Sequence, residues 1–178
     1  LVEAGLKDSK LLSRARREKL APEIRARARA VEVLAISPAA IDRRPPDGGL
    51  DLLEADAMAS IIRSLAVDRA VVDAPGPGGV LFGRRLRERL PDHPGSIVAE
   101  NKADLHYPVV AAASVLAKTV RDEAIVRLAN EWGEIGSGYP SDPKTIRFLE
   151  RWAAQHATPP PFARHSWATI RRIFDSPE

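Results

Sequence analysis

From Val109 to Ala117 the chain reads Val-Val-Ala-Ala-Ala-Ser-Val-Leu-Ala, small or apolar everywhere except Ser114. Pro108 opens this run, and proline suits the first turn of a helix, where its missing N–H costs nothing. A helix without a polar face is buried, so the rest of the chain is expected to pack around this one. Ser114 and Lys118 lie one turn apart and project from one side. Asp104 precedes the helix, near its positive end, where a carboxylate is stabilised. Taken singly, Asp104 reads slightly better as a helix cap, Ser114 as a satisfied core hydroxyl and Lys118 as a snorkelling side chain. Their joint placement favours a site.

The flanking sequence alternates strand and helix signals. Ser13 caps a basic helix to about Ala28, with Pro22 a possible break. Arg29 to Ile36 alternates as a strand does, and Ser37-Pro38 opens a short helical turn. Arg43 to Gly49 is a Pro- and Gly-rich loop. Leu50 to Leu65 is an amphipathic helix with Leu53, Ala57, Ile61 and Leu65 on its apolar face. Arg69 to Asp73 and Ser96 to Glu100 read as short strands, with a basic helix from Leu81 to Leu90 between them. The helix from Pro108 is expected to end near Asn130. Asp142 caps a helix from Pro143 to about His156, and a last helix runs from Ser166 to Phe174. This order implies an α/β domain with parallel strand pairing.

In such sheets ligands gather at the carboxyl ends of strands. Asp73 stands at one such end, and Asp104 follows the next strand by a few residues, so the two carboxylates are placed to converge at one sheet edge. Oxygen donors suit a hard cation such as Mg²⁺ or Mn²⁺. The chain has no cysteine, which removes thiolate sites and disulfides and fits a reducing, cytoplasmic compartment. His106, His156 and His165 have no metal-ligand spacing. Asp is also the commonest turn former after a strand, so two Asp residues alone leave the metal reading open.

At 178 residues the chain has the length of one domain, and 44% hydrophobic with 29% charged residues is an ordinary soluble profile. Net charge is +3, but basic residues crowd Lys7 to Arg29. That stretch reads as a contact for a polyanion or as a solvated helix face. No apolar run spans a membrane and no signal peptide is present.

Several motifs follow one another: Asp8-Ser9-Lys10, Val72-Asp73, Lys102-Ala103-Asp104 with Tyr107-Pro108, Ala111-Ala112-Ala113-Ser114, Ala117-Lys118, Arg121-Asp122, and Gly136-Ser137-Gly138-Tyr139-Pro140-Ser141-Asp142-Pro143. In this order they resemble type 2 ribonuclease H, most of all the archaeal form of ribonuclease HII. The eukaryotic catalytic subunit is the next nearest. The resemblance covers nearly the whole chain, through Pro160 and Trp167. It implies a ribonuclease H-like mixed sheet flanked by helices, with residues 1–140 as catalytic domain and 141–178 as a helical extension of the same globule. It also implies a monomeric endonuclease that cuts the RNA strand of RNA/DNA hybrids and single ribonucleotides in duplex DNA, working with two divalent ions, Mg²⁺ or Mn²⁺.

Carried over residue by residue, the resemblance makes Asp73 and Asp104 two of the family's four metal-binding carboxylates. It gives Lys10, Lys102 and Ser114 to backbone phosphates, and Tyr139 to the junction between ribose and deoxyribose. Without it, Tyr139 reads as a loop anchor. For Ser9 and Lys118 capping and packing stand equal to any contact with substrate, and Trp132, Trp152 and Trp167 read as packing residues. The family's other two carboxylates belong to an Asp-Glu-Ala-Gly-Arg-Gly strand expected upstream of Asp8. Glu3-Ala4-Gly5 echoes that strand only superficially: Val2 stands where the motif has Asp, and Leu6-Lys7 where it has Arg-Gly. The expectation is therefore an N-terminally truncated member lacking the first strands of its sheet. Without that Asp-Glu motif the chain as given is expected to be inactive, and the alternative to an endoribonuclease is a catalytically incomplete nucleic-acid-binding fragment.

Overall fold

The computed structural model describes residues 12–44, 49–76 and 78–175. Its elements run α1 (Arg14–Arg27), α2 (Pro38–Asp42), α3 (Gly49–Leu65), β1 (Arg69–Asp73), α4 (Gly79–Arg89), β2 (Ser96–Glu100), α5 (Ala103–His106), α6 (Pro108–Trp132), α7 (Pro143–Ala153) and α8 (Ala168–Phe174). This is an α/β fold. Among the described residues the sheet has two strands, β1 and β2, paired in parallel with Arg69 opposite Ser96 and Asp73 opposite Glu100. Two compact units emerge, one from residues 1–34 and 45–119, the other from 35–44 and 120–178.

In the first unit the crossover β1–α4–β2 is the centre. Ala70 and Val72 of β1, and Ala74 just after it, alternate onto one face with Ile97 and Ala99 of β2, and α3 and α4 cover that face through Ala55, Ala59, Ile62, Phe82 and Leu86. The helix α4 comes close because of what it lacks: a Cβ on Gly79 would meet the Ala99 carbonyl at 3.1 Å, and one on Gly83 would meet the Ala99 Cβ at 3.2 Å. Arg85 and Arg89 of α4 pair with Asp51 and Asp56 of α3. Part of the basic charge on α4 is thus neutralised inside the unit. A second cluster joins Leu20, Ala21 and Ile24 of α1 to Ala111, Ala112, Val115 and Leu116 of α6.

Several sequence expectations need correction. Ser13 caps α1, its hydroxyl accepting from the Arg16 N–H at 3.3 Å, but Pro22 does not break the helix. Leu20 and Ala21 on one side of Pro22 and Ile24 on the other are anchored in one cluster, which offsets the cost of the lost hydrogen bond. Arg29 to Ile36 forms no strand: a strand needs a partner, and this segment pairs with none among the described residues. The buried stripe of α3 is Ala55, Ala59 and Ile62, while Leu53, Ala57, Ile61 and Leu65 are half-buried. The run after Pro108 is not buried all round either. Val110, Ala111, Val115 and Leu116 face the core, whereas Val109 is 63% exposed and Ala113 and Ala117, on the same side, are exposed too.

In the second unit Ile135, Phe148, Leu149 and Ile170 form the core. Trp132 and Trp152 meet edge-on at 5.4 Å, and Trp167 packs against the same cluster, so the tryptophans are packing residues as expected. Asp142 caps α7 by accepting from the Lys144 N–H at 2.9 Å.

Candidate active site at the carboxyl end of the sheet

The residues that leave β1 and β2 on the face opposite the α3–α4 core are Asp73 and Glu100. They are register partners, and neighbours across a parallel pair point to the same side. Directly after β2 the chain turns sharply. Lys102 adopts the left-handed conformation (φ 58°, ψ 35°), which costs a residue with a Cβ roughly 1–2 kcal/mol. The turn delivers α5, a four-residue helix carrying Asp104. Its first N–H, on Ala103, donates to Oδ1 of Asp73 at 3.0 Å.

That hydrogen bond ties Asp73 to the turn that carries Asp104. Asp73 is half-buried with one oxygen committed to the turn, and Asp104, one residue beyond Ala103, is 4% exposed. Lys102 lies beside them with its side chain exposed. Asn101 secures the other side of the edge, donating from Nδ2 to the Ala74 carbonyl at 3.0 Å and also to the Gly76 carbonyl. Asp73, Lys102 and Asp104 are therefore brought together. Ser114 is half-buried on α6 in the same unit. Lys10 lies outside the described residues, as do Asp8 and Ser9.

Tyr139 belongs to the second unit, on a loop stitched from both ends. Ser137 N–H donates to Oδ2 of Asp142 at 2.6 Å, and Gly138 N–H to the Thr145 hydroxyl at 3.0 Å. Gly138 has φ 72°, where a side chain is strained, and a Cβ there would also have to push the tip of Ile125 aside, so the position favours glycine. The guanidinium of Arg121 lies 3.9 Å from the centre of the half-exposed Tyr139 ring and donates to the Ser137 carbonyl at 2.8 Å. Sequence reasoning gave Arg121 no role of its own.

The Ser137 and Lys144 groups pull the Asp142 carboxyl from an ordinary 3.8 to about 2. A depressed folded value stabilises the loop above the ordinary value, and the gain is lost as pH falls from about 4 toward 2. Tyr139 is expected to become more mobile across that window, with Asp142→Asn removing the transition. Tyrosine ring resonances followed by NMR between pH 5 and 2 check this; a loop indifferent to both acid and the substitution would exclude Asp142 as its clamp.

Comparison with known proteins decides the family. A sequence profile described as Ribonuclease HII matches residues 1–170. This chain belongs to the ribonuclease HII family. It is 41% identical over 174 residues to ribonuclease HII of Pyrococcus furiosus, covering 97% of this chain and 76% of that protein. It is 43% identical over 169 residues to that of Methanoregula boonei, covering 95% and 78%. Among solved structures, ribonuclease H2 from Pyrococcus horikoshii matches with a TM-score of 0.87 at 35% identity, over 98% of this chain and 82% of that one. The PCNA:RNase HII complex from Archaeoglobus fulgidus contains a chain matching at 0.85 and 40% identity, over 97% and 82%. The resemblance carried by the sequence motifs, and its archaeal character, are borne out.

Ribonuclease HII enzymes are endoribonucleases of RNA/DNA hybrids that use divalent metal ions. Asp73 and Asp104 supply oxygen donors, the kind that Mg²⁺ and Mn²⁺ take, and one or two carboxylates plus water and substrate phosphate are a common Mg²⁺ environment. Among the described residues no group of three or more His, Cys, Asp or Glu is arranged to hold a metal. The donor chemistry thus fits such an ion, with part of its shell left to other groups.

Proposed function

We propose that this chain cleaves the RNA strand of RNA/DNA hybrids, and duplex DNA at single ribonucleotides, with Asp73 and Asp104 holding divalent metal. The observation that supports this reading is the Ala103 N–H bonded to Asp73, which ties the Asp104 turn to the end of β1 in a ribonuclease HII. Two divalent ions supply activation of the attacking water and charge compensation at the leaving oxygen. The chain's own part is to hold them and to hold the substrate. Asp73 keeps one oxygen for the turn and one for metal. Lys102 sets an ammonium point charge against a backbone phosphate, and the Ser114 hydroxyl and Lys10 add contacts of the same kind. Tyr139, steadied by Arg121, offers a ring face to a sugar. The 2′-hydroxyl is the handle that tells ribose from deoxyribose.

The test is a set of labelled duplexes incubated in Mg²⁺ or Mn²⁺: an RNA/DNA hybrid, a DNA duplex with one ribonucleotide, and DNA alone. Metal-dependent cutting of the first two and not the third is expected. A second reading, nucleic-acid binding without cleavage, draws on the donor count given above; tight binding of all three duplexes with no product would favour it.

The phosphate role of Lys102 has its own signature. Lys102→Ala should reduce the slope of log affinity against log salt by about 0.9, the value for one duplex phosphate contact. An unchanged slope would make Lys102 a solvated surface residue.

A further inference from the structure

Glu100 has no role in the proposed chemistry, yet its carboxylate is hydrogen-bonded at Oε1 and has an imidazole near Oε2. Tyr107 donates its hydroxyl to Oε1 at 2.7 Å, and Nδ1 of His106 stands 3.6 Å from Oε2. Tyr107 is also the joint between two helices. Its N–H donates to the Ala103 carbonyl at 2.8 Å, ending α5, and its carbonyl accepts from Val110 at 2.9 Å and Ala111 at 3.1 Å, starting α6. The Glu100–Tyr107 bond therefore ties the end of β2 to this joint and closes a ring around Asn101 to His106. Inside that ring are the left-handed Lys102 and the buried Asp104.

We propose that Glu100 and Tyr107 form a clasp that positions the Lys102–Asp104 turn for metal, which makes Glu100 a positioning residue. This rests on the metal reading of Asp73 and Asp104. A strained residue persists only where its surroundings over-determine it. Within the turn, Ala103 is tied to Asp73 and Leu105 to the Lys102 carbonyl. The first of these ties uses a carboxylate that must also serve metal. The clasp supplies a tie that metal does not touch, so Asp104 stays in place while Asp73 is shared. The hydrogen bond also holds the Tyr107 phenol above its ordinary value of 10.0, so the donor keeps its proton at working pH.

Three variants in the full chain test this. Tyr107→Phe removes only the hydroxyl, Glu100→Ala removes the acceptor, and Glu100→Gln keeps an acceptor oxygen without charge. Two quantities are measured: amide exchange at Ala103 and Leu105 in metal-free protein, and the Mg²⁺ concentration giving half-maximal hybrid cleavage. Tyr107→Phe and Glu100→Ala should each raise both about tenfold, the worth of one charge-assisted hydrogen bond. Glu100→Gln should stay within about threefold of the parent, as a neutral acceptor keeps part of that bond. Glu100→Gln as damaging as Glu100→Ala, with Tyr107→Phe silent, would overturn the clasp and make the carboxylate act directly. Faster exchange with an unchanged Mg²⁺ half-point would overturn the positioning role while leaving the metal reading standing. Failure of that reading is seen separately, in an Asp73→Asn protein that still cleaves.

Discussion

Asp73→Asn should lower hybrid cleavage roughly a thousandfold, the rate equivalent of several kcal/mol of metal-borne charge stabilisation. The substitution suits the local geometry. Asn keeps an oxygen that can accept the Ala103 N–H, so the turn into α5 retains its tie to β1. What disappears is one negative charge at the sheet edge. Hybrid affinity without metal should hold or rise, because a carboxylate near the phosphate path is removed. The measurement is single-turnover cleavage in saturating Mg²⁺ beside a binding titration in chelator. A near-normal rate would remove Asp73 from the metal site, whereas joint loss of cleavage and binding would point to a damaged sheet edge.

Leu86→Ala should be the most destabilising of the single truncations in the first unit, by about 2–5 kcal/mol. Leu86 is 0% exposed and sits where α4 meets the sheet, beside Phe82 and the Ala55–Ala59–Ile62 stripe of α3. The glycine face of α4 already rests on Ala99, so the helix has little room to settle into the space left behind. For a chain of this length a loss of about 3 kcal/mol lowers Tm by roughly 6–12 °C. Thermal unfolding followed by circular dichroism checks it. A loss under about 1 kcal/mol would mean that the site collapses around the smaller side chain.

Strand and cap signals were the legible part of the sequence. Arg69–Asp73 and Ser96–Glu100 are short apolar runs closed by an acid, and both form with the bounds the pattern implies. Asp142 before Pro143 names its own helix start, and Ser13 and Ser37 do the same. What a single sequence carries poorly is the partner of each element. The alternation of Arg29 to Ile36 is as good as that of β1, but pairing depends on another strand. The stripe on α3 is displaced because apolar residues occupy more than one of its faces, and only packing chooses among them. At the site, Asp73 and Asp104 were readable as strand-end acids, and Lys102 as their neighbour. Its left-handed backbone was not, since no glycine marks it. Glu100 was overlooked although it ends a strand beside Asp73 and precedes Tyr107 across one short turn; an acid and a phenol flanking that turn were the available signal.

The β1–α4–β2 crossover also orders events during folding. Its strands are joined by one short helix, so closing the pair costs little chain entropy, and α3 immediately precedes it to supply the remaining core. This block contains the nearest-neighbour contacts of the first unit, and the left-handed Lys102 lies outside it. The turn from Glu100 to Tyr107 gains its tie to β1 only once the strand ends are side by side, because the Ala103 N–H runs back to Asp73. The scaffold therefore forms first and the reactive edge last. In pulse-labelling experiments the amides of β1 and β2 should gain protection ahead of that of Ala103, and a chain caught between the two stages would hold its core without holding its chemistry.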